Sequence, residues 1–383
     1  MTAYRIILAF LLLEICAPAE TVPNPSKRKG AGPLFRVRRG EKWGYMDRAG
    51  KIVISPQFDS ERDFFHGLAG VLVGKKWGYI DEKGITVIPA AFDDVRDFLE
   101  DLAPVRISRK WGYIDTAGHM KIELRFQAAA EFHEGLARVH LWDRITTGRG
   151  EYTSANAPEY VFRLPEDDYS DMPCCFAIGG HFGFIDKTGT LVIPATFFIA
   201  QDFSQGLAAV RVEETPTSKF GYIDRAGRFA ISPRFNQAAP FSEGLASVEV
   251  SGQVVGNRVE NIAYGFIDQT GQLVIAAAYQ LAGSFSEGLA RVAISFGEGM
   301  GFIDRNGKIV IAPRFVTARD FSDGLAIVCG DPCTYIDHRG QETMKDIRAT
   351  WPFVDGLAVI GYSRDSQTYI DKTGRKVAAY GQD

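Results

Sequence analysis

Short apolar segments separated by polar turns recur along this chain of 383 residues. Three kinds of segment recur together: an apolar run such as 67–71, an alternating aromatic segment such as 76–81, and a run such as 51–58 that ends near proline and phenylalanine. All three are rich in β-branched and aromatic residues and are short enough to be strands. The pattern therefore predicts an all-β protein.

The aromatic segment sets a fixed period. Lys-Trp-Gly-Tyr surrounds Trp43, Trp77 and Trp111 at steps of 34 residues, and weaker copies follow to the end of the chain. Helical repeats can share this period, but each unit here carries glycines and runs such as 87–89 (Val-Ile-Pro) that break helices and favour strands. Counting the first apolar run of each copy predicts about nine units.

The turns predict how the strands of one unit pair. Asp-x-x-Gly follows every aromatic segment, as in Asp47 to Gly50, and its carboxylate and glycine suit a hairpin turn. Each unit is therefore predicted to be a three-stranded antiparallel meander. A second signature, Phe-x-x-Gly-Leu-Ala, lies between units, as in 64–69. We expect its phenylalanine to pack between neighbouring units, because repeat arrays are stabilised by burial between neighbours.

Whole units fill residues 34–380, so the repeats are flush with both ends of this region. A ring that is closed by strands exchanged between the termini often starts within a unit. The flush ends therefore favour an open, curved or solenoid-like array, and a closed propeller-like ring is the alternative.

One insertion interrupts the rhythm between the third and fourth aromatic segments. It covers about residues 141–178, and insertions in repeat arrays map to loops that often lie on a binding face. Its aromatic and acidic side chains are candidate binding residues: Tyr152, Tyr160, Asp167, Asp168 and Tyr169.

The N-terminus has the three parts of a signal peptide. Arg5 is followed by the apolar run 6–13, and Ala17-Pro18-Ala19 fits a cleavage site. Residues 1–19 are predicted to be the signal peptide and residues 20–33, which contain three prolines, a disordered tether. We expect an exported protein of the periplasm, cell surface or extracellular space. In an oxidising compartment Cys329 and Cys333 are a candidate disulfide across a tight turn.

Composition and motifs argue against several classes of function. The net charge of −4 gives no attraction for nucleic acid, and no apolar stretch is long enough to span a membrane. The histidines form no metal-binding motif, and there is no nucleophile elbow or phosphate-binding loop. The turn aspartates suit hairpin closure better than calcium binding. We therefore expect no catalytic residues, metal or cofactor.

The motifs Lys-Trp-Gly-Tyr-Ile-Asp, Val-Ile-x-Pro-x-Phe and Phe-Ser-Glu-Gly-Leu-Ala resemble the bacterial WG-repeat (KWG) family over nearly all of residues 34–380. Later copies replace the tryptophan, for example by Phe182 and Met300, but most keep the aromatic register. The resemblance implies an all-β repeat protein, often secreted or envelope-associated, without catalytic residues.

Two hypotheses for function follow. The first is a secreted or periplasmic scaffold that binds a protein or peptide partner, because the repeat surface is extended and carries no catalytic motif. The alternative is a cell-wall polysaccharide-binding protein, because aromatic side chains are frequent and can stack on sugar rings when they are exposed. Burial of these aromatics in the core is the simpler interpretation of their spacing.

Overall fold

A computed structural model describes residues 33–141, 146–147, 150–151, 181–215, 217–255, 258–295, 297–330, 332–344, 347, 349–361 and 367–379. The predicted signal peptide, nearly all of the tether and the candidate binding residues of the insertion lie outside these ranges.

The described chain consists of β-strands that form nine small antiparallel sheets, numbered here in chain order. The strands of sheets 1 to 3 are β1 (Phe35–Arg39), β2 (Lys42–Met46), β3 (Ile52–Phe58); β4 (Ser60–Glu61), β5 (Leu68–Val73), β6 (Lys76–Asp81), β7 (Thr86–Phe92); and β8 (Asp94–Val95), β9 (Leu102–Ile107), β10 (Lys110–Asp115), β11 (Met120–Phe126).

Sheets 4 to 6 follow the same plan. Their strands are β12 (Ala128–His133), β13 (Leu136–Leu141), β16 (His181–Ile185), β17 (Leu191–Phe197); β18 (Ile199–Ala200), β19 (Ala208–Arg211), β20 (Phe220–Ile223), β21 (Phe229–Phe235); and β22 (Gln237–Ala238), β23 (Ala246–Val255), β24 (Arg258–Ile267), β25 (Leu273–Tyr279). A separate small hairpin, β14 (Thr146–Thr147) with β15 (Gly150–Glu151), lies in the insertion.

Sheets 7 to 9 complete the series. Their strands are β26 (Leu281–Ser286), β27 (Leu289–Ala293), β28 (Met300–Asp304), β29 (Ile309–Phe315); β30 (Thr317–Ala318), β31 (Ala326–Cys329), β32 (Cys333–Ile336); and β33 (Leu357–Ile360), β34 (Thr368–Asp371), β35 (Lys376–Ala379). The all-β prediction is confirmed, but sheets 2 to 7 have four strands and not the predicted three.

The additional strand explains the Phe-x-x-Gly signature. In sheet 3, β8 pairs with β9, and the turn between them is bridged by Leu99 and Leu102. The signature is therefore a turn inside a sheet and not a linker between sheets; sheet 1 has none in the described chain. A first strand as short as β8 has no periodicity of its own, which is why the pattern predicted only three strands.

The glycine of each Trp-Gly pair is required by a close approach of two strands. A Cβ atom on Gly78 would lie 2.5 Å from the Ile88 carbonyl oxygen and 2.7 Å from the Ala90 nitrogen. The outer strand bulges at this place, between the pairs Trp77–Phe92 and Tyr79–Ile88. Only a residue without a side chain lets the bulge pack onto the middle strand.

The nine Asp-x-x-Gly turns have one geometry. In the first, the Asp47 carboxylate accepts hydrogen bonds from the backbone N–H groups of Ala49 and Lys51, both at 2.9 Å. Gly50 closes the turn with a φ of 85°, a conformation that favours glycine. The predicted hairpins between second and third strands form in every sheet but sheet 8, where the turn is followed only by an isolated bridge between Ile336 and Glu342.

The core lies in the seams between neighbouring sheets and is divided into nine apolar clusters. Eight clusters join sheets that follow each other in the chain. The ninth joins sheet 9 to sheet 1 and contains Tyr369 and Leu357 on one side and Phe35, Val37 and Met46 on the other. Since every sheet has two neighbours, the array is a closed ring, a nine-bladed β-propeller.

The preference for an open array was therefore wrong, and the alternative, the closed ring, is correct. Repeats that are flush with both ends do not exclude a ring, because this ring closes without a strand exchanged between the termini. Sheets 1 and 9 each consist of three strands that are contiguous in the chain. Packing of apolar side chains alone joins the first sheet to the last.

One aromatic contact recurs in every seam. The second aromatic residue of each Trp-Gly-Tyr segment packs against a phenylalanine of the next sheet, as Tyr79 does against Phe98 with ring centroids 4.8 Å apart. The Tyr79 hydroxyl also donates a hydrogen bond to the Arg96 carbonyl oxygen at 2.8 Å. The prediction that the Phe-x-x-Gly phenylalanine packs between units is thus correct.

Candidate functional site

Alternating strand directions give the ring two faces. The Phe-x-x-Gly and Asp-x-x-Gly turns of all sheets lie at one end of the strands, which we name the turn face. The connections between the first long strand and the aromatic strand lie at the other end, which we name the loop face. The chain also passes from one sheet to the next at the loop face.

The connections that vary most in length lie on the loop face, whereas the long segment from β32 to β33 begins at the turn face. The 141–178 insertion leaves from Leu141 and returns at His181, which pair directly on β13 and β16. The other lengthened connections on this face are the extended hairpin β23–β24 and the segments joining β19 to β20, β27 to β28 and β33 to β34. Sheets 1 to 3 have only tight two-residue turns here.

The tight turns of sheets 1 and 2 are held by ion pairs that explain the lysine of the Lys-Trp-Gly motif. Lys42 donates to Asp59 at 2.6 Å, and Lys76 donates to Asp93 at 2.5 Å. The hydrogen bond from Lys76 holds the pKa of Asp93 below its usual range. These contacts hold two of the tight turns of the loop face in place.

The predicted binding residues of the insertion lie outside the described residues, so the structure does not place them. Cys329 and Cys333 do lie on the loop face, where a disulfide joins them across the connection between β31 and β32. The sequence analysis did not predict that the lengthened connections between the first long strand and the aromatic strand share one face. The signal was present, because each length change falls between the Leu-Ala strand and the aromatic strand.

On the turn face, hydrogen bonds of one kind link each sheet to a neighbouring sheet in most seams. Glu134 accepts from the Gly206 N–H at 2.8 Å, and Gln205 in turn accepts from the Gly244 N–H at 2.8 Å. The same contact recurs in other seams, formed by the pairs Glu100–Gly135, Glu243–Gly288, Glu287–Gly324 and Asp323–Gly356. These side chains therefore stabilise the ring.

The serine of the same turns also has a structural role. Ser204 donates its hydroxyl to the Phe241 carbonyl oxygen at 2.7 Å, and Ser242 donates to the Phe285 carbonyl oxygen at the same distance. The sequence analysis gave this position no role. It is a further link between neighbouring sheets.

The turn aspartates are occupied by backbone donors. In the last turn, the Thr373 hydroxyl donates to Asp371 at 2.6 Å and, with the backbone N–H groups of Thr373 and Arg375, lowers the pKa of that carboxyl to about 2. Within the described ranges, no three histidine, cysteine or acidic side chains are grouped as metal ligands.

Two carboxyl groups in the seams of sheets 1 to 3 have strongly raised pKa values. Burial raises the pKa of Glu61 to about 8, although Arg36 opposes the shift. Burial also raises the pKa of Asp97 to about 7, against the effect of Arg62. Perturbed carboxyl groups occur at functional sites, but ion pairs between packed sheets produce them as well.

The repeat aromatics do not form a stacking surface for sugars. Tyr45, Tyr79 and Tyr113 are fully buried, and Trp111 is buried as well. Trp43 and Trp77 are half-buried, and the guanidinium groups of Arg38 and Arg62 lie over their rings at 5.8 and 5.5 Å. Burial in the core, the simpler interpretation of their spacing, therefore describes most of these side chains.

The fold and its repeated seams define a class of protein, the all-β propeller built from tandem sequence repeats. A sequence model described as "WG containing repeat" matches residues 43–77, 77–111, 111–140, 182–215, 220–253, 264–294 and 300–329. These matches cover more than half of the chain, which therefore belongs to the WG-repeat family, as its motifs predicted.

Comparisons with solved structures find distant likenesses. BamB from Moraxella catarrhalis is 8% identical with a TM-score of 0.37, covering 80% of this chain and 94% of that one. Hsv2p of Kluyveromyces lactis is 10% identical with a TM-score of 0.36, covering 72% and 91%. The acylaminoacyl peptidase of Pyrococcus horikoshii is 11% identical with a TM-score of 0.39, covering 84% and 52%.

These scores are too low to carry an argument about function. No curated protein matches the chain. Among the described residues, no helix has the length and apolar character that crossing a membrane requires.

Proposed function

We propose that this protein is an exported, non-catalytic scaffold that binds a protein or peptide partner through the loop face of its ring. One observation carries the proposal: the connections between the first long strand and the aromatic strand, which differ most in length from sheet to sheet, all emerge from this face. A rigid ring that presents variable loops on one face is a common arrangement for binding.

The turn face offers less for recognition. Many of its side chains, such as Glu134, Gln205 and Ser204, form the hydrogen bonds that link neighbouring sheets. The tight turns of the loop face present exposed residues such as Lys75 in sheet 2 and Arg109 in sheet 3.

A photo-crosslinking experiment tests the proposal. A photoreactive amino acid replaces Lys75 or Arg109 on the loop face, and in the control it replaces Arg305, which follows the turn aspartate Asp304 on the turn face. After irradiation with an envelope extract, we expect covalent adducts to a recurrent protein from the loop-face positions only. Equal adducts from both faces, or adducts to glycan alone, would contradict the proposal.

Export is tested separately. N-terminal sequencing of the protein from fractionated cells should find Glu20 as the first residue, outside the cytoplasm. A chain that retains Met1 and remains in the cytoplasm would exclude the export part of the proposal and leave the binding part to the crosslinking result.

A further inference from the structure

The outer strands of the sheets differ in whether they contain proline or charged residues, a difference that closure of the ring does not require. Each outer strand, such as β7 or β25, pairs with a single neighbour, so half of its backbone groups face outwards. Such an edge can pair with a strand from another protein, and proteins usually block this with proline or charged side chains.

Most outer strands of this ring carry such a block. Proline occurs in β3, β7, β17, β21 and β29, as Pro56, Pro89, Pro194, Pro233 and Pro313. Strand β11 has no proline but carries Lys121, Glu123 and Arg125, and β35 begins at Lys376.

Sheet 8 has no outer strand, and the backbone N–H groups of Thr343 and Ala349 bond to β32 instead. Among the outer strands of the other sheets, β25 of sheet 6 is the exception. Its sequence, Leu-Val-Ile-Ala-Ala-Ala-Tyr, contains neither proline nor a charged residue. Leu273 and Val274 keep 47% and 48% of their surfaces exposed, and Ala276 and Ala278 are exposed as well. The edge therefore combines accessible backbone groups with exposed apolar side chains.

The open edge continues towards the loop face. Strand β24 extends from Arg258 to Ile267, but β25 covers it only from Tyr264 onwards. The backbone before Tyr264 pairs with β23 alone. Sheet 6 thus offers a longer uncovered edge than the other four-stranded sheets, and its far end lies at the candidate binding face.

We propose that the outer edge of sheet 6 binds an extended, uncharged peptide segment of a partner protein, which adds to β25 as a further strand. This inference rests on the proposed function and specifies its mode of recognition. Main-chain hydrogen bonds would provide the affinity, and apolar side chains at alternate positions of the peptide, which share one face, would pack beside Val274.

A peptide fits this edge better than a second copy of the ring. The rims of two rings are convex, so two copies that met at β25 would touch at little more than one strand each. That contact falls well short of the roughly 1,200 Å² that a stable protein interface buries. A flexible segment can follow the edge of β25 along its whole length, whereas the uncovered part of β24 carries Arg258 and Glu260.

The ring itself supplies variants that close the edge and preserve the fold. Val274→Lys introduces the residue of sheet 3, where Lys121 occupies the equivalent position. Ala277→Pro introduces the residue of sheet 7, where Pro313 occupies the equivalent position. The matched control is Val310→Lys, at an equally exposed position on an outer strand that already contains Pro313.

The experiment selects binders from a phage-displayed library of random decapeptides on the wild-type protein and measures their affinities by fluorescence anisotropy. We expect selected peptides to be uncharged with alternating apolar residues, and to bind Val274→Lys and Ala277→Pro at least tenfold more weakly. Val310→Lys should bind them like the wild type. Hydrogen exchange of the peptide-bound protein should slow at residues 273–278.

Three results would overturn the inference. These are a selection without binders, binders that are indifferent to both edge variants, and a wild-type dimer in sedimentation that Val274→Lys dissociates. If loop-face crosslinks to a protein are found while no peptide depends on the edge, the proposed function stands and only this inference fails.

Discussion

The ring of Tyr369 packs edge-on against the ring of Phe35, with centroids 5.9 Å apart, and this contact joins the last sheet to the first. In the other seams the partner of the equivalent aromatic is the phenylalanine of a Phe-x-x-Gly turn. Sheet 1 has no such turn in the described chain, and Phe35 of its first strand takes that place.

Phe35→Ala should therefore destabilise the protein as much as the same change in an internal seam. Removing a buried phenylalanine typically costs about 3–5 kcal/mol. We expect Phe35→Ala and Phe98→Ala to lower the free energy of unfolding by similar amounts in urea titrations. A loss at Phe98 with almost none at Phe35 would mean that the ring is open in solution.

Gly112→Ala should be more harmful than a substitution at a turn glycine. A Cβ atom at residue 112 would lie 2.5 Å from the Ile122 carbonyl oxygen, so the bulge of the outer strand must move. We expect a loss of about 3 kcal/mol or more, as for severe overpacking.

Gly67→Ala is the control for this prediction. Gly67 has a positive φ of 79° but no atom within 4 Å of its Cβ position, so the cost should be about 1–2 kcal/mol. Equal losses at the two positions, measured by thermal unfolding, would contradict the role given to the close approach.

The raised pKa values in the seams predict a stability that falls with rising pH. Glu61 ionises near pH 4.5 in the unfolded chain but only near pH 8 in the folded ring. Between these values the unfolded state releases the proton first, so alkaline pH favours unfolding. Asp97, with a pKa of about 7, acts in the same direction.

Glu61→Gln should therefore flatten the decline in melting temperature between pH 5 and pH 9. Asp59→Asn is the control, because the pKa of Asp59 is shifted in the opposite direction: the hydrogen bond from the Lys42 ammonium lowers it. The Asp59 carboxylate is therefore charged at every pH above 5, and its replacement should not change the slope of the melting temperature between pH 5 and pH 9. If Glu61→Gln leaves the pH profile unchanged, the carboxyl is ionised in the folded protein.

The disulfide between Cys329 and Cys333 should contribute modestly to stability. It closes a loop with a sequence separation of 4, and loop-closure entropy then corresponds to about 2 kcal/mol. We expect the Cys329→Ser/Cys333→Ser variant to unfold at slightly lower urea concentration and to retain the ring. Peptide mapping without reduction should recover the linked pair, and two free thiols would refute it.

The features that could be predicted from the sequence are the strands and turns that depend on neighbouring positions within one unit. The register from Trp77 to Asp81 repeats closely enough to show the aromatic strand, and Asp47 with Gly50 identifies the hairpin turn. Ring closure could not be predicted in this way, because curvature depends on how the side chains of one sheet meet those of the next. Nothing near Tyr369 in the sequence indicates its contact with Phe35.

The candidate site was only partly accessible to sequence reasoning. The insertion was visible in the sequence as a break in the period. The face of the ring from which it leaves became known only from the directions of the strands in the sheet. The role of Ser204 was missed because its acceptor, the Phe241 carbonyl oxygen, belongs to another unit. Hydrogen bonds between units leave no local pattern beyond the repetition of the residue itself.

Closure by side chains alone means that the order of the blades is not tied to where the polypeptide starts. Each sheet is built from consecutive residues, and the first and last sheets are neighbours in space. A circular permutant that links the two ends of the ring and opens another connection on the loop face would keep every strand pair and every seam. The same property lets a gene gain or lose one repeat as a single unit, so that the number of blades can change without redesign of a closing strand.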